Sequence, residues 1–234
     1  MAEAIPASLQ EVYKRSITIA TTPGLGLSGE TVMGQTTERL RDSALAALNG
    51  VPFNLTTWIA RSMSGDMGSV GNKEVFRHSD FIFMIVKGPN RRNDFHIDPY
   101  DEIFYQLKGT IYVKHRDATG HTQIAEVQEG EVMIINAFTP HLPIRPPETL
   151  GLVIERPRVA GEQDGIVWYC DACGKELHQL ALDCQDIETQ LKHALDAFNA
   201  DLALRTCTSC GHVLADPAQQ PPWQRMVPAR TRDA

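Results

Sequence analysis

His96, Glu102 and His141 are the residue types of a facial triad. Two imidazoles and one carboxylate hold a divalent iron on one side and leave neighbouring positions open for a substrate and O2. Five residues separate His96 from Glu102, and Pro99 lies among them, so a short turn joins the two. Other chemical groups flank the triad. Arg92 lies four residues before His96, and Arg145 four after His141. A guanidinium matches a carboxylate through two parallel hydrogen bonds, so this pair points to a carboxylate-bearing substrate. Glu155 closes the apolar run LGLVIE, where burial disfavours the charged form and suits the group to proton transfer. Cys170-x-x-Cys173 and Cys207-x-x-Cys210 have the spacing of a tetrahedral thiolate site. Four thiolates leave no open position, so they read as structural ligands of iron or zinc, with disulfide pairing as the alternative. Cys184 stands outside the pairs and reads as buried. His78, His115, His121, His178, His193 and His212 read as surface or packing residues.

The elements that must position these groups are mostly strands. Phe81–Val86, Glu102–Leu107, Thr110–Lys114, Gln123–Val127, Glu131–Asn136 and Leu150–Glu155 are short, β-rich and separated by turn residues. Such spacing predicts an antiparallel sandwich or barrel. Helical periodicity appears over Thr37–Leu48 and Ile187–Leu204, the second with Ile187, Leu191, Leu195 and Phe198 on one face. Four regions follow: an N-terminal extension over 1–48, a barrel over 49–160, a cysteine module with its helix over 161–216, and a proline-rich tail over 217–234. The extension reads as a surface or oligomer-contacting arm, with a lid over the site as the alternative.

The chain has 234 residues, 42% of them hydrophobic, and a net charge of -7. That suffices for one sizeable core with a small appendage. The negative balance argues against nucleic acid as a partner. No apolar run of ~18 residues exists to span a membrane. The N-terminal residues lack a signal-peptide pattern, and paired cysteines fit a reducing compartment. The expected location is the cytoplasm.

The spacings Glu102-x6-Gly109 and Gly130-x10-His141 resemble the two short motifs of cupin barrels, with Asp98 where the first motif usually has a second histidine and Asn90 where it has glycine. The expected fold is therefore mostly β: a double-stranded β-helix with a small C-terminal metal module and an N-terminal helical extension. A closer resemblance follows. The stretches NRRNDFHIDP (Asn90 to Pro99), EIFYQLKG (Glu102 to Gly109), LVIER (Leu152 to Arg156) and WYCDACG (Trp168 to Gly174), together with SVGN (Ser69 to Asn72), resemble 3-hydroxyanthranilate 3,4-dioxygenase. The two CxxC pairs resemble its bacterial form, which carries a rubredoxin-like site.

That resemblance implies Fe(II) held by His96, Glu102 and His141, with O2 as co-substrate. It implies an iron or zinc at the four cysteines. Arg92 and Arg145 would clamp the substrate carboxylate with Asn72 nearby, and Val70, Val86, Phe104 and Pro143 would wall the ring. Glu155 would move protons. Ring opening would give 2-amino-3-carboxymuconate semialdehyde, which closes to quinolinate, in tryptophan breakdown feeding NAD synthesis. A homodimer is also implied. Two features depart from the pattern: the extension before Val51, and Phe95 where a tyrosine is expected. They point to a substituted 3-hydroxyanthranilate or another o-aminophenol carboxylate as the neighbouring alternative. A different metal-dependent cupin enzyme and a non-catalytic acid-binding module are the more distant ones.

Overall fold

The computed structural model describes residues 51–63, 71–76, 79–183 and 189–226. The expected helix over Thr37–Leu48, together with Val70 and Cys184, lies outside them. The described residues belong to one compact unit, 41–234.

Among the described residues, eleven strands form two antiparallel sheets. The first orders β1 (Asn72–Glu74), β2 (Ile82–Lys87), β9 (Leu150–Glu155), β4 (Glu102–Lys108) and β7 (Val132–Ile135) as β1-β2-β9-β4-β7. The second orders β11 (Glu176–Leu182), β10 (Asp164–Tyr169), β3 (Phe95–Ile97), β8 (His141–Ile144), β5 (Ile111–Arg116) and β6 (Thr122–Val127) as β11-β10-β3-β8-β5-β6. Apolar side chains from both sheets meet between them: Met84, Phe104 and Val153 from the first, Ile111, Val113 and Val127 from the second. This is the mostly β, antiparallel sandwich that the strand pattern predicted. All six strands read from the sequence are present. The second sheet continues past residue 160, because β10 pairs with β3.

Helices pack against the sheets. Helix α1 (Leu55–Ser62) starts where the Asn54 side chain accepts a hydrogen bond from Thr57 N at 2.8 Å. Its Leu55, Trp58 and Ile59 pack on the outer side of the first sheet around Ile85 and Leu152. Helix α2 (Gln190–Ala200) buries Leu191, Leu195 and Phe198, as the periodicity predicted. The run predicted to reach Leu204 breaks at Asp201. That residue is extended (φ -98°, ψ 105°), and its carboxylate caps a new turn, α3 (Leu202–Arg205), by accepting from Ala203 N and Leu204 N. In the tail, Pro222–Arg225 form a 3-10 turn.

Candidate active site

Strand alternation sets the site. Along β4, Glu102, Phe104 and Gln106 are buried while Ile103 and Tyr105 are exposed, so one strand sends a carboxylate and an aromatic wall to the same side. β3 lies against β8 with His96 opposite His141. Asp98 Oδ1 accepts from Tyr100 N at 2.7 Å, which folds the turn that returns the chain to Glu102. The three side chains are nearly inaccessible, between 1% and 6% exposed. His96 Nδ1 and His141 Nε2 each lie 3.1 Å from Glu102 Oε1.

The donor set fits a cation. Glu102 Oε1 is buried without a hydrogen-bond partner. His141 Nδ1 sits 2.9 Å from Thr139 O. Donation to that carbonyl leaves the Nε2 lone pair facing Glu102. His96 is backed in the same way, with Nε2 3.5 Å from Asp164 Oδ2. Carboxylates and carbonyls behind ligating imidazoles fix their tautomer and orientation. Burial alone would lower the His96 pKa, but Asp164 and Glu102 outweigh it and raise it to about 10. Burial likewise works against ionisation of Glu102, yet His141 and His96 hold its carboxyl well below the usual range. The three side chains bring their donor atoms within 4.8 Å of one another.

Glu155, at the end of β9, has the opposite character. Burial, then the charge of Glu102 and the neighbouring Asp98, push its carboxyl well above the usual range. Two carboxyl groups of one cavity are thus pushed apart, one toward the anion and one toward the acid. Arg158 holds this corner. Its Nη2 lies 3.2 Å from Glu155 Oε2 and 2.9 Å from Asp98 Oδ2, and its Nε 2.6 Å from Asp164 Oδ1. Arg158, Asp164 and Asp94 were not singled out in the sequence; a carboxylate two residues from Arg92 was the one available signal.

The two arginines enter the same cavity. Arg92 is tied to Asp94 through Nε at 3.0 Å and Nη2 at 2.5 Å. Arg145 is different. It is 1% exposed, and its Nε and Nη1 have no hydrogen-bond partner. Burial and then the charge of Arg92 lower its pKa to about 10. A buried cation with idle donors is costly unless an anion meets it. Asn90 anchors this arginine's backbone: its side chain donates to Pro143 O at 2.7 Å and accepts from Arg145 N at 2.9 Å. Asn90 therefore has a cross-strand role where the cupin pattern has glycine. Asn72, Val86, Phe104 and Pro143 line the cavity with the triad, both arginines and Glu155, and Leu191 of α2 joins them. Phe95 does not. It precedes His96 on a strand, so it faces the other way and packs edge-on against Tyr169, ring centroids 5.3 Å apart. Its identity therefore does not shape this cavity, contrary to the expectation that it would tune the pocket.

Gly151 sits close against the Arg145 guanidinium. A Cβ there would lie 2.6 Å from Arg145 Nη1 and 2.9 Å from Gln106 Oε1. Gly151→Ala is expected to displace the guanidinium and raise KM for a carboxylate substrate about tenfold while kcat stays near the parent value. Steady-state kinetics checks this split; an unchanged KM would show that Arg145 does not bind the substrate.

The cysteines form a second centre. Sγ of Cys170 lies 3.6 Å from Cys210, and Sγ of Cys173 lies 3.6 Å from Cys207. A disulfide needs about 2.05 Å, so the pairing alternative does not hold and all four are free thiols. A tetrahedron with metal–sulfur bonds of about 2.3 Å has edges of roughly 3.8 Å, close to the observed spacing. Two equivalent knuckles build it. Gly174 N donates to Cys170 O and Gly211 N to Cys207 O, at 2.8 and 2.9 Å, and both glycines turn with positive φ, 74° and 72°. The Cys210 backbone N–H, more than any other group, holds the Cys207 thiol down to about 6. A lowered pKa favours the ligating thiolate.

A family model described as 3-hydroxyanthranilic acid dioxygenase matches residues 47–199. A 3-hydroxyanthranilate 3,4-dioxygenase of Bacillus cereus (strain 03BB102) is 43% identical over 168 residues, covering 72% of this chain and 94% of the relative. Relatives of the same name from Burkholderia lata (41% over 165 residues, 70% of this chain and 94% of theirs) and Xanthomonas campestris pv. campestris strain 8004 (41% over 162 residues, 69% and 91%) are also similar. Among solved structures, a cupin-2 domain protein from Shewanella frigidimarina covers 47% of this chain and 99% of its own, with 21% identity and a TM-score of 0.37. The segment matched by the family model contains every cavity residue described above, and the chain belongs to the 3-hydroxyanthranilic acid dioxygenase family.

Proposed function

We infer that the chain is a ring-cleaving dioxygenase that uses Fe(II) and O2 to convert 3-hydroxyanthranilate to 2-amino-3-carboxymuconate semialdehyde. The carrying observation is the buried Arg145 guanidinium with idle donors beside a two-histidine, one-carboxylate set. His96, Glu102 and His141 would hold the iron, which supplies open positions where substrate and O2 meet. Arg145 and Arg92 orient the substrate through its carboxylate. Val86, Phe104 and Pro143 exclude water from the ring. Glu155 holds a proton on one carboxyl oxygen while Arg158 fixes the other. The four cysteines would hold iron or zinc in a structural role.

The decisive test is anaerobic reconstitution with Fe(II), then 3-hydroxyanthranilate in air. O2 uptake with a new near-UV product band is expected, and the absence of both sinks the reading. Glu155→Gln keeps the shape of the group and removes its acid–base function. It is expected to lower kcat about 10²-fold with little change in KM; an unaltered kcat would remove Glu155 from the proton transfers.

Among the described residues no helix is long and apolar enough to cross a membrane. A cytoplasmic homodimer is part of the same reading. What supports the dimer is an exposed apolar stripe at the β4–β7 edge, Ile103, Tyr105, Val132 and Ile134, the kind of patch a partner covers.

A further inference from the structure

A second cavity, of about 240 Å³, opens on the reverse face of the strands that carry His96 and His141. Phe95 and Leu142, the sequence neighbours of the two histidines, line it. Lys114 is the register partner of Leu142, and Arg116 lies two positions along the same strand, so both project to this side. Arg225 reaches in from the 3-10 turn.

The carboxylates around this cavity do not match its cations in number, although Cys170 of the four-cysteine centre also lines it. Three cations line it, and Asp171 is the one carboxylate among the described lining residues. That carboxylate is already shared, with Oδ1 3.0 Å from His212 Nε2 and Oδ2 3.4 Å from Arg225 Nη1. Among the described residues neither Lys114 nor Arg116 forms an ion pair. Arg116 instead lies over the Tyr169 ring, 3.8 Å from its centroid. Burial, then the nearby charge of Arg225, lower the pKa of Lys114, and Asp171 only partly offsets them. Part of the remaining wall is apolar, beside the polar Asn93, Thr122 and Gln220: Phe95 and Leu142 belong to a buried cluster on which Trp223 and Met226 pack. The indole N–H of Trp223 is buried without a partner.

We propose that this cavity binds a small organic acid, its carboxylate held by Lys114 and Arg116 and its apolar body resting on Phe95 and Leu142. Lys114 and Arg116, half-buried and outside any ion pair among the described residues, favour a charge-assisted partner. An inorganic oxyanion would meet the cations and leave the apolar wall unmatched. The volume exceeds that of several waters, at about 30 Å³ each, so a ring-sized body fits.

The test is calorimetric titration of the metal-loaded chain with benzoate and with inorganic phosphate. It is run in an Arg145→Gln background, so that the catalytic cavity cannot hold the probe by its idle guanidinium. Saturable benzoate binding is expected. It should weaken at least about tenfold in Lys114→Gln/Arg116→Gln and be retained in Lys114→Arg. Should the double variant fail to fold, Lys114→Gln alone, at a half-buried position, carries the same comparison. No saturable binding, unchanged affinity without the cations, or phosphate binding as tightly as benzoate would each overturn the proposal. The readout is binding at this cavity, so it stands apart from whichever substrate the first cavity takes.

Discussion

Glu102→Ala is expected to leave the chain without metal at the triad and to lower turnover by at least about 10³-fold. Glu102 Oε1 is the atom on which both imidazoles converge. Without it two neutral nitrogens remain, and a divalent cation loses the one first-contact anion of the set. Removing one member of a buried charged pair costs about 3–5 kcal/mol, and here the lost charge also opposes the metal. Metal content after dialysis and O2 uptake on 3-hydroxyanthranilate are the two measurements. A variant that keeps stoichiometric metal and parent activity would remove Glu102 from the ligand set. Thermal unfolding of the metal-free forms supplies a separate reading. His96 owes its raised pKa in part to Glu102, so in the variant it should titrate lower.

Cys207→Ser is expected to empty the four-cysteine centre and to lower Tm by roughly 6–12 °C. A structural thiolate site is worth about 10–16 kcal/mol when formed, and losing even about 3 kcal/mol of that shifts Tm by this amount in a chain of this size. Cys207 is the informative choice because it is 1% exposed and its thiol carries the lowered pKa. The effect should reach the catalytic cavity in a definite way. Asn93, beside Arg92, accepts from Trp168 Nε1 at 3.0 Å and donates to Asn199 Oδ1 at 2.8 Å and Ala215 O at 3.1 Å. Loosening the cysteine knuckles therefore frees α2 and the segment before β3 together. Metal analysis and thermal unfolding followed by circular dichroism check the expectation. Loss of metal with an unchanged Tm would mean that the centre does not hold the fold.

Sequence patterning showed the strands whose residues alternate or cluster by type: β2, β4, β5, β6, β7 and β9. It did not show β3 and β8, although they carry both histidines. β3 spans three residues, and β8 contains Pro143, which lacks the N–H that a strand ordinarily offers. Their pairing is dictated by the sheet, not by local propensity. β1, β10, β11 and α1 also escaped notice, although Asn54 before Leu55 is a recognisable helix start. The chemical groups were easier to read, because ligand types and arginines announce themselves by charge and spacing. Arg158 and Asp164 were not legible, since each acquires meaning only from partners that the fold delivers. The opposite case is Phe95: alternation along β3 alone was enough to turn it away from the cavity, once β3 was known to be a strand.

The strand that bears His96 has a consequence for synthesis. It is flanked by β8 and β10, with His96 opposite His141 on one side and Ile166 on the other. Both neighbours leave the ribosome well after it. At about 5–20 residues per second the lag from His96 to Val167 is roughly 4–14 s. Glu102 follows within six residues, but early in that interval the imidazole lacks His141, and almost throughout it lacks Asp164, the carboxylate behind its Nε2. Non-local pairing of this kind makes closure a late event. The full set of His96, Glu102 and His141 is therefore assembled only once β8 has joined β3.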